Sequence, residues 1–474
     1  MTSGQETTTL LILVAFFLCS ALFEFLRERR SLRGFNRGFA ITVSLVALGM
    51  TVLQSVEFRM EPGGLAMDPM VANRHASYVD KLTFEAKYLC SVLSAVLFLG
   101  AVLFTPSFPL VRLRMSRVYV MQALLFALIE VQRVSTFLLV GALLILVFIG
   151  ESRYHARSLT ADERREIRAN TFIRYQWLAL VAIFVSLGLR LLAREGWLAA
   201  NPSLQMLDLG MLCLACAVVV GLFPFHGWVV PFLGAPRSSI FLPLLCVEMG
   251  LLFFFRVYAP VVTQFMSHSY LLMIVPVIGL IYSALLFFGE QRLKRIPGYL
   301  YLSHVCLMAL STSGFEAMGL TTSMIDGVNV LLAVLGLLGV CSLLTSRFGV
   351  RGVLAPSGLG ALFPELAVCY LVCVLSLVGF PGTLGFIEEE VTLGQGLEHH
   401  AFLVGVVALA LTLNGFSGFR LFARIFYGQP VEGRDPETAL SLRERAVIIL
   451  ILALIVINGV APRLLVRSLT DFAS

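Results

Sequence analysis

The 474-residue sequence is 58% hydrophobic and only 14% charged, whereas an ordinary soluble domain is about 45–50% apolar. This balance excludes a soluble globular domain. The formal charge of +6 is spread over short connections, which excludes a basic nucleic-acid-binding face. Runs long enough to cross a bilayer recur along the whole chain and predict an all-α polytopic membrane protein.

No cleavable signal peptide is expected. Residues 1–7 are polar without a basic stretch, and the first apolar run already has span length. Fourteen apolar spans follow, at roughly 8–27, 38–57, 88–106, 110–129, 130–150, 171–193, 204–224, 238–259, 270–289, 297–315, 324–345, 364–387, 401–425 and 444–463. The fourth and fifth are nearly continuous. The 58–87 stretch is the longest non-apolar segment and reads as an exterior loop.

Basic residues set the orientation, because cytoplasmic loops carry the Lys and Arg excess. Arg27, Arg29, Arg30, Arg33 and Arg37 follow the first span, Arg112, Arg114 and Arg117 the third, and Arg153 to Arg168 the fifth. Arg292, Lys294 and Arg295, then Arg347 and Arg351, then Arg434, Arg443 and Arg445 continue the alternation. The stretch from Glu388 to Glu398 reads as an acidic outside loop. Both termini are thereby expected outside, in a cytoplasmic (inner) membrane of bacterial type.

Two spans end in helix-breaking residues. The seventh runs into "GLFPFHGWVVPFLGAP", with Gly221, Pro224 and Gly227; the twelfth runs into "GFPGTLGF", with Gly379, Pro381, Gly382 and Gly385. An odd number of spans separates the two breaks, so the halves that contain them have opposite topology. Paired, interrupted spans of this kind point to inverted repeats around a midplane ion site. Two inverted five-helix repeats with broken helices are therefore expected at 110–260 and 261–426. Residues 1–109 would supply three N-terminal helices and the exterior loop, and 427–474 a cytoplasmic loop and the last helix.

Ionisable residues inside spans mark ion paths or structural pairs. Glu130 has Arg133 one turn away and so has a local ion pair as an alternative to a path role. Glu248 has no charged neighbour in sequence until Arg256; it is either a neutral hydrogen-bonded acid or a proton carrier. Lys294 fits a snorkelling interfacial lysine. His304 fits either a structural hydrogen-bonder or a proton relay, and His226 sits within the first break. Glu388, Glu389 and Glu390 read as a solvated loop face, or as a helix from which one carboxylate points inward. The nine cysteines are scattered through apolar runs, and Cys213-x-x-Cys216 has no second pair at zinc spacing. No phosphate loop, metal motif or heme-type spacing occurs, so no catalytic residue, cofactor or metal is expected.

These segments together resemble the antiporter-like membrane subunits of respiratory complex I and of Mrp cation/proton antiporters, with the M-type subunit of complex I nearest. The resemblance rests on Pro224-Phe-His226-Gly-Trp228 with Ala235-Pro236, on Leu293-Lys294-Arg295-Ile296 with Tyr299 and Ser303-His304, on Gly379-Phe-Pro381-Gly-Thr383 with Phe386 and Glu389, and on Arg424 to Gly428. It covers about 110–430. It implies fourteen helices in two inverted repeats and proton or sodium translocation along a polar axis. Carried over, Glu130 matches the glutamate of the first half, Lys294 the central lysine, His304 a relay histidine and Glu389 the acidic residue of the second broken helix. His226 would lie near proton uptake to the first half.

The departures fall on the family's lysines and histidines. Val219 and Glu248 stand where lysines are expected, and Val330 where a His or Lys is expected, with Asn329 beside it. The resemblance implies a proton-translocating subunit of a multi-subunit complex, whose partners are other membrane subunits and the lipid bilayer. Two alternatives go with it. One is the ion-conducting subunit of a DAB-type inorganic-carbon uptake system with a soluble carbonic-anhydrase-like partner, in place of a soluble redox partner. The other is a structural subunit that no longer conducts.

Overall fold

A computed structural model of the chain describes residues 3–29, 37–60, 91, 93–103, 115–131, 133–158, 169–193, 202–234, 240–265, 270–314, 319–346, 358–428 and 440–461. Every element among them is helical: α1 (Ser3–Arg29), α2 (Arg37–Met60), α3 (Leu93–Leu103), α4 (Met115–Glu130), α5 (Val134–Ser158), α6 (Ala169–Ala193), α7 (Pro202–Val220), α8 (Val229–Leu233), α9 (Phe241–Phe253), α10 (Ala259–Phe265), α11 (Tyr270–Gly289), α12 (Ile296–Gly314), α13 (Gly319–Ser346), α14 (Leu359–Leu362), α15 (Pro364–Ser376), α16 (Leu384–Phe426) and α17 (Leu442–Val460). Among the described residues, seven helical stretches are long and apolar enough to cross a membrane. The 61–90 segment, Ala235–Pro236, most of the loop arginines and the side chain of Glu130 lie outside the described residues.

Local chemistry explains several boundaries. The fourth and fifth spans are separate helices, divided at 131–133. Arg256 donates to the Val131 carbonyl just past the end of α4, so a charged donor from another helix satisfies a group that α4 leaves unpaired. Arg256 itself lies in a π turn, Phe254–Tyr258, which joins α9 to α10. Ser441 begins α17 with a reciprocal cap: its hydroxyl accepts from the Glu444 amide, and its own amide donates to the Glu444 carboxylate.

One expectation from the loops is corrected. The stretch from Glu388 toward Glu398 is not an acidic loop but part of α16, which departs from helical geometry only at His400. On a helix, three consecutive side chains point in three directions. Glu388 and Glu389 are buried, and Glu390 is exposed.

The centre of the molecule belongs to few helices. The stretch Thr322–Thr345 of α13 is 94% buried and Phe241–Val262 is 89% buried, against 44–50% for the other membrane-length stretches. Every residue of helix α12 from Ile296 to Ser313 is buried. It packs on α11, α13, α16 and the short α8, while α13 packs on α9, α12, α15, α16 and α17. A helix that is apolar all round belongs in such a position. Among the polar residues on these central helices, Glu248 on α9, Ser303 and His304 on α12, and Asp326 and Asn329 on α13 are buried.

Candidate functional site

Both expected breaks are present, and both are closed in the same way. Helix α7 ends at Gly221 with φ +81°, and α15 leads into Gly379 with φ +66°. In the first, the Leu222 amide donates back to Ala217 O; in the second, the Phe380 amide donates back to Leu375 O. This is the Schellman closure, in which glycine takes the left-handed position without a Cβ penalty. After the first break the chain makes a 3-10 turn, Phe225–Trp228, and then α8. After the second it extends at Thr383 and enters α16 directly.

A helix end leaves carbonyls without donors, and a proline four residues on has no N–H to offer. Val220 stands in that relation to Pro224, and Leu377 to Pro381. Neither carbonyl is left open. The Tyr301 hydroxyl donates to Val220 O at 2.9 Å, and His304 Nε2 lies 2.7 Å from Leu377 O. Neighbouring carbonyls are filled likewise: Trp228 Nε1 donates to Val218 O at 2.9 Å, and Asn329 Nδ2 to Ser376 O at 3.1 Å. The Ser376 hydroxyl returns a bond to Asn329 Oδ1.

The second break carries the densest polar group. His304 Nδ1 lies 2.8 Å from Asp326 Oδ1, with both side chains fully buried. Atoms of His304, Asp326 and Glu388 lie within 4.8 Å of one another. Glu389 completes the group from the next position, with its Oε2 against Gly379: a Cβ there would sit 2.1 Å from that oxygen. Ser311 and Thr392 pair at 3.1 Å beside Glu388. Asp326 Oδ2, Glu388 Oε2 and Glu389 Oε1 have no protein hydrogen-bond partner.

The imidazole geometry limits what this group can do. A backbone carbonyl only accepts, so His304 Nε2 carries its hydrogen. Any change of protonation on this ring therefore takes place at Nδ1, on the axis shared with Asp326. His304, Asp326 and Glu388 are close enough to suggest a metal triad, but the ring has no free lone pair: Nε2 is a donor, and Nδ1 is committed to Asp326. The arrangement suits proton sharing better than ligation. Three carboxyl groups and one imidazole cannot all be ionised in a buried site without a large uncompensated charge, so the protons belong to the group as a whole.

The other residues singled out from the sequence are dispersed. Lys294 is partly exposed in a 3-10 turn, Leu293–Arg295, ahead of α12. Ten residues of helical rise put it about 15 Å from His304 along the axis. It shares this end of the helix with Glu290, which accepts from Arg295 at 3.3 Å and from Tyr299 at 3.3 Å. His226 is partly buried in the first break, stacked on Phe223 and edge-on to Tyr282. Glu248 is 4% exposed, and neither carboxylate oxygen has a well-formed hydrogen bond. Its polar neighbour is Ser94, which accepts from Gln122 at 2.6 Å. Glu130 ends α4.

The sequence matches the family described as "NADH:quinone oxidoreductase/Mrp antiporter, TM" over residues 90–414. The chain belongs to that family. Its fold is shared with a chain of respiratory complex I from Thermus thermophilus, at 21% identity and TM-score 0.76, over 97% of this chain and 98% of that one. A chain of the Mrp complex from Dietzia sp. DQ12-45-1b matches at 16% identity and TM-score 0.75, over 100% and 97%. A chain of the membrane-bound sulfane sulfur reductase, an archaeal respiratory membrane complex, matches at 14% and TM-score 0.77, over 97% and 77%.

Within this membrane family member, Asp326, Ser376 and Tyr301 are the residues that sequence reasoning passed over, and Asn329 was noted only as the neighbour of Val330. Asp326 had a signal, as a lone carboxylate in the apolar run "SMIDGVNVLLAVLGLL". It lies one turn before Val330, where the family resemblance had directed attention.

Proposed function

We propose that the chain is a proton-translocating membrane subunit of a multi-subunit, ion-coupled complex, of the M-type in complex I terms, and that protons pass through the His304–Asp326–Glu388–Glu389 group. The observation that carries this reading is the His304 ring, locked as an Nε2 donor by Leu377 O and sharing its other nitrogen with a buried acid. Such a pair holds or releases one proton at Nδ1 while Nε2 keeps its hydrogen. The unpartnered oxygens of Asp326, Glu388 and Glu389 are the positions where protons or bridging waters would be exchanged.

The rest of the path follows by position. Lys294 lies toward the inner mouth of the second half, and Glu389 lies against the break and hands protons onward. Glu248 takes the place of the first half's lysine, with Glu130 and His226 on the same side of the molecule's sequence repeat. The matching glycine closures support two inverted repeats at 110–260 and 261–426 within fourteen spans, in a bacterial-type inner membrane with both termini outside. The partners are other membrane subunits. A soluble redox or carbonic-anhydrase-like protein is the further partner that would separate a respiratory complex from a DAB-type inorganic-carbon system.

The test is proton flux in vesicles containing the chain with its co-purified partners. Asp326→Asn keeps a polar side chain against His304 but removes the acid, and flux should fall by about a hundredfold. Unchanged flux in both Asp326→Asn and Glu389→Gln would overturn the assignment. A second reading, a non-conducting structural subunit, draws on buried Val219 and Val330. It predicts no flux above empty vesicles from the wild-type complex. Identification of the proteins that co-purify in mild detergent decides which complex the subunit serves.

A further inference from the structure

Tyr301 and His304 are one turn apart on α12, so they lie on the same face of a single rigid helix. Each fills the orphan carbonyl of a different break: Tyr301 that of Val220, and His304 that of Leu377. We propose that Tyr301 is a positioning residue that ties the first break to the His304–Asp326 pair through α12, so that the two halves do not rearrange independently.

The packing around Tyr301 leaves it little freedom. A Cβ at Gly250 on α9 would lie 3.1 Å from the Tyr301 hydroxyl and 3.3 Å from Val220 Cα. The hydroxyl is therefore wedged where α7, α9 and α12 meet. Two further contacts bind α12 to the segment after the first break. A Cβ at Gly298 would meet Val230 Cα at 2.7 Å, and the Cys306 thiol lies within hydrogen-bonding reach of the Phe223 backbone, both of them against Gly279 on α11. Helix α12 thus touches the first break at three levels and the second break at His304. Close-packed contacts of this kind transmit a displacement rather than absorb it. A change at His304 Nδ1 that shifts the ring from Leu377 O must move α12, and Tyr301 carries that movement to Val220 O.

The proposal rests on the preceding reading only in taking the His304–Asp326 pair as the site whose state changes; its test does not require transport. Hydrogen–deuterium exchange of the full chain in nanodiscs, read by mass spectrometry, reports the backbone at 221–228 and 377–383 separately. Four proteins are compared: wild type, Tyr301→Phe, Asp326→Asn and the double variant. Tyr301→Phe should speed exchange several-fold at 221–228 and leave 377–383 unchanged. Asp326→Asn should alter exchange at both breaks when Tyr301 is present, and only at 377–383 when Phe replaces it. A merely structural tyrosine would give additive changes, with the Asp326→Asn effect at 221–228 undiminished in the double variant, and that result overturns the proposal. So does an Asp326→Asn effect confined to 377–383 in the presence of Tyr301. The retained response at 377–383 verifies that the tyrosine variant is folded. Loss of flux coupling and loss of exchange coupling are read by different measurements, so failure of one reading leaves the other open to its own test.

Discussion

The two breaks share a backbone and differ in chemistry. Each has a left-handed glycine, a Schellman closure and an orphan carbonyl filled from α12. At the second break the filling group is an imidazole that also meets Asp326, with Glu388 and Glu389 alongside. At the first it is a phenol, and the buried carboxyl of Glu248 has Ser94, which accepts from Gln122, as its polar neighbour among the described residues. The difference teaches that a broken helix by itself supplies carbonyls and a bend. Proton chemistry depends on which side chain the neighbouring helix brings to the opening.

This contrast predicts unequal responses. The largest effect is expected at His304. Replacing it with Phe leaves Leu377 O and the Asp326 carboxyl buried without a partner, at about 1–3 kcal/mol for each orphaned group. Flux should vanish and thermal unfolding should come earlier. Asp326→Asn should come next, with flux reduced by about a hundredfold, in the range of a lost general acid–base group, and with little change in unfolding. If Glu248→Gln were to reduce flux as much as Asp326→Asn, the two halves would be chemical equals and the contrast would fail; a several-fold reduction is expected.

The glycines sharpen the same comparison. A Cβ at Gly221 would meet Val229 Cγ2 at 2.1 Å, and one at Gly379 would meet Glu389 Oε2 at 2.1 Å. Alanine at either position should cost about 1–2 kcal/mol for the left-handed backbone, plus the displacement of its neighbour. Unfolding measurements should find the two alike. Flux should suffer more in Gly379→Ala, because there the displaced neighbour is a carboxylate of the group proposed to pass protons. The smallest effect is expected for Lys294→Ala, a few-fold at most, since Lys294 stands about 15 Å from His304. A loss of flux matching Asp326→Asn would move the centre of the path to the lysine.

Much of the architecture was legible in the residues. Apolar runs of span length, arginines in alternate connections and two Gly/Pro interruptions lead to a helical membrane protein with two breaks, because each signal is local and obeys the physics of the bilayer. The separation of α4 from α5 was only weakly marked, since a short polar interruption is enough when Arg256 from a distant helix caps the junction. The glutamate triplet misled in the opposite sense. Its composition matches a solvated loop, yet two of its members are buried on α16. Burial there depends on α12 and α13, far away in sequence.

The sequence by itself determined the membrane class, the family and the positions of both breaks, for glycine and proline act on their own backbone and hydrophobicity acts on the nearest solvent. Only the tertiary structure decided which carboxylates gather at a break and which remain alone. It singled out Asp326, which meets His304 across 22 positions of chain, and Tyr301, which meets Val220 across 81. The physical reason is that a carbonyl freed by a proline must find a donor somewhere in the packed interior, and where that donor comes from is set by the packing of helices.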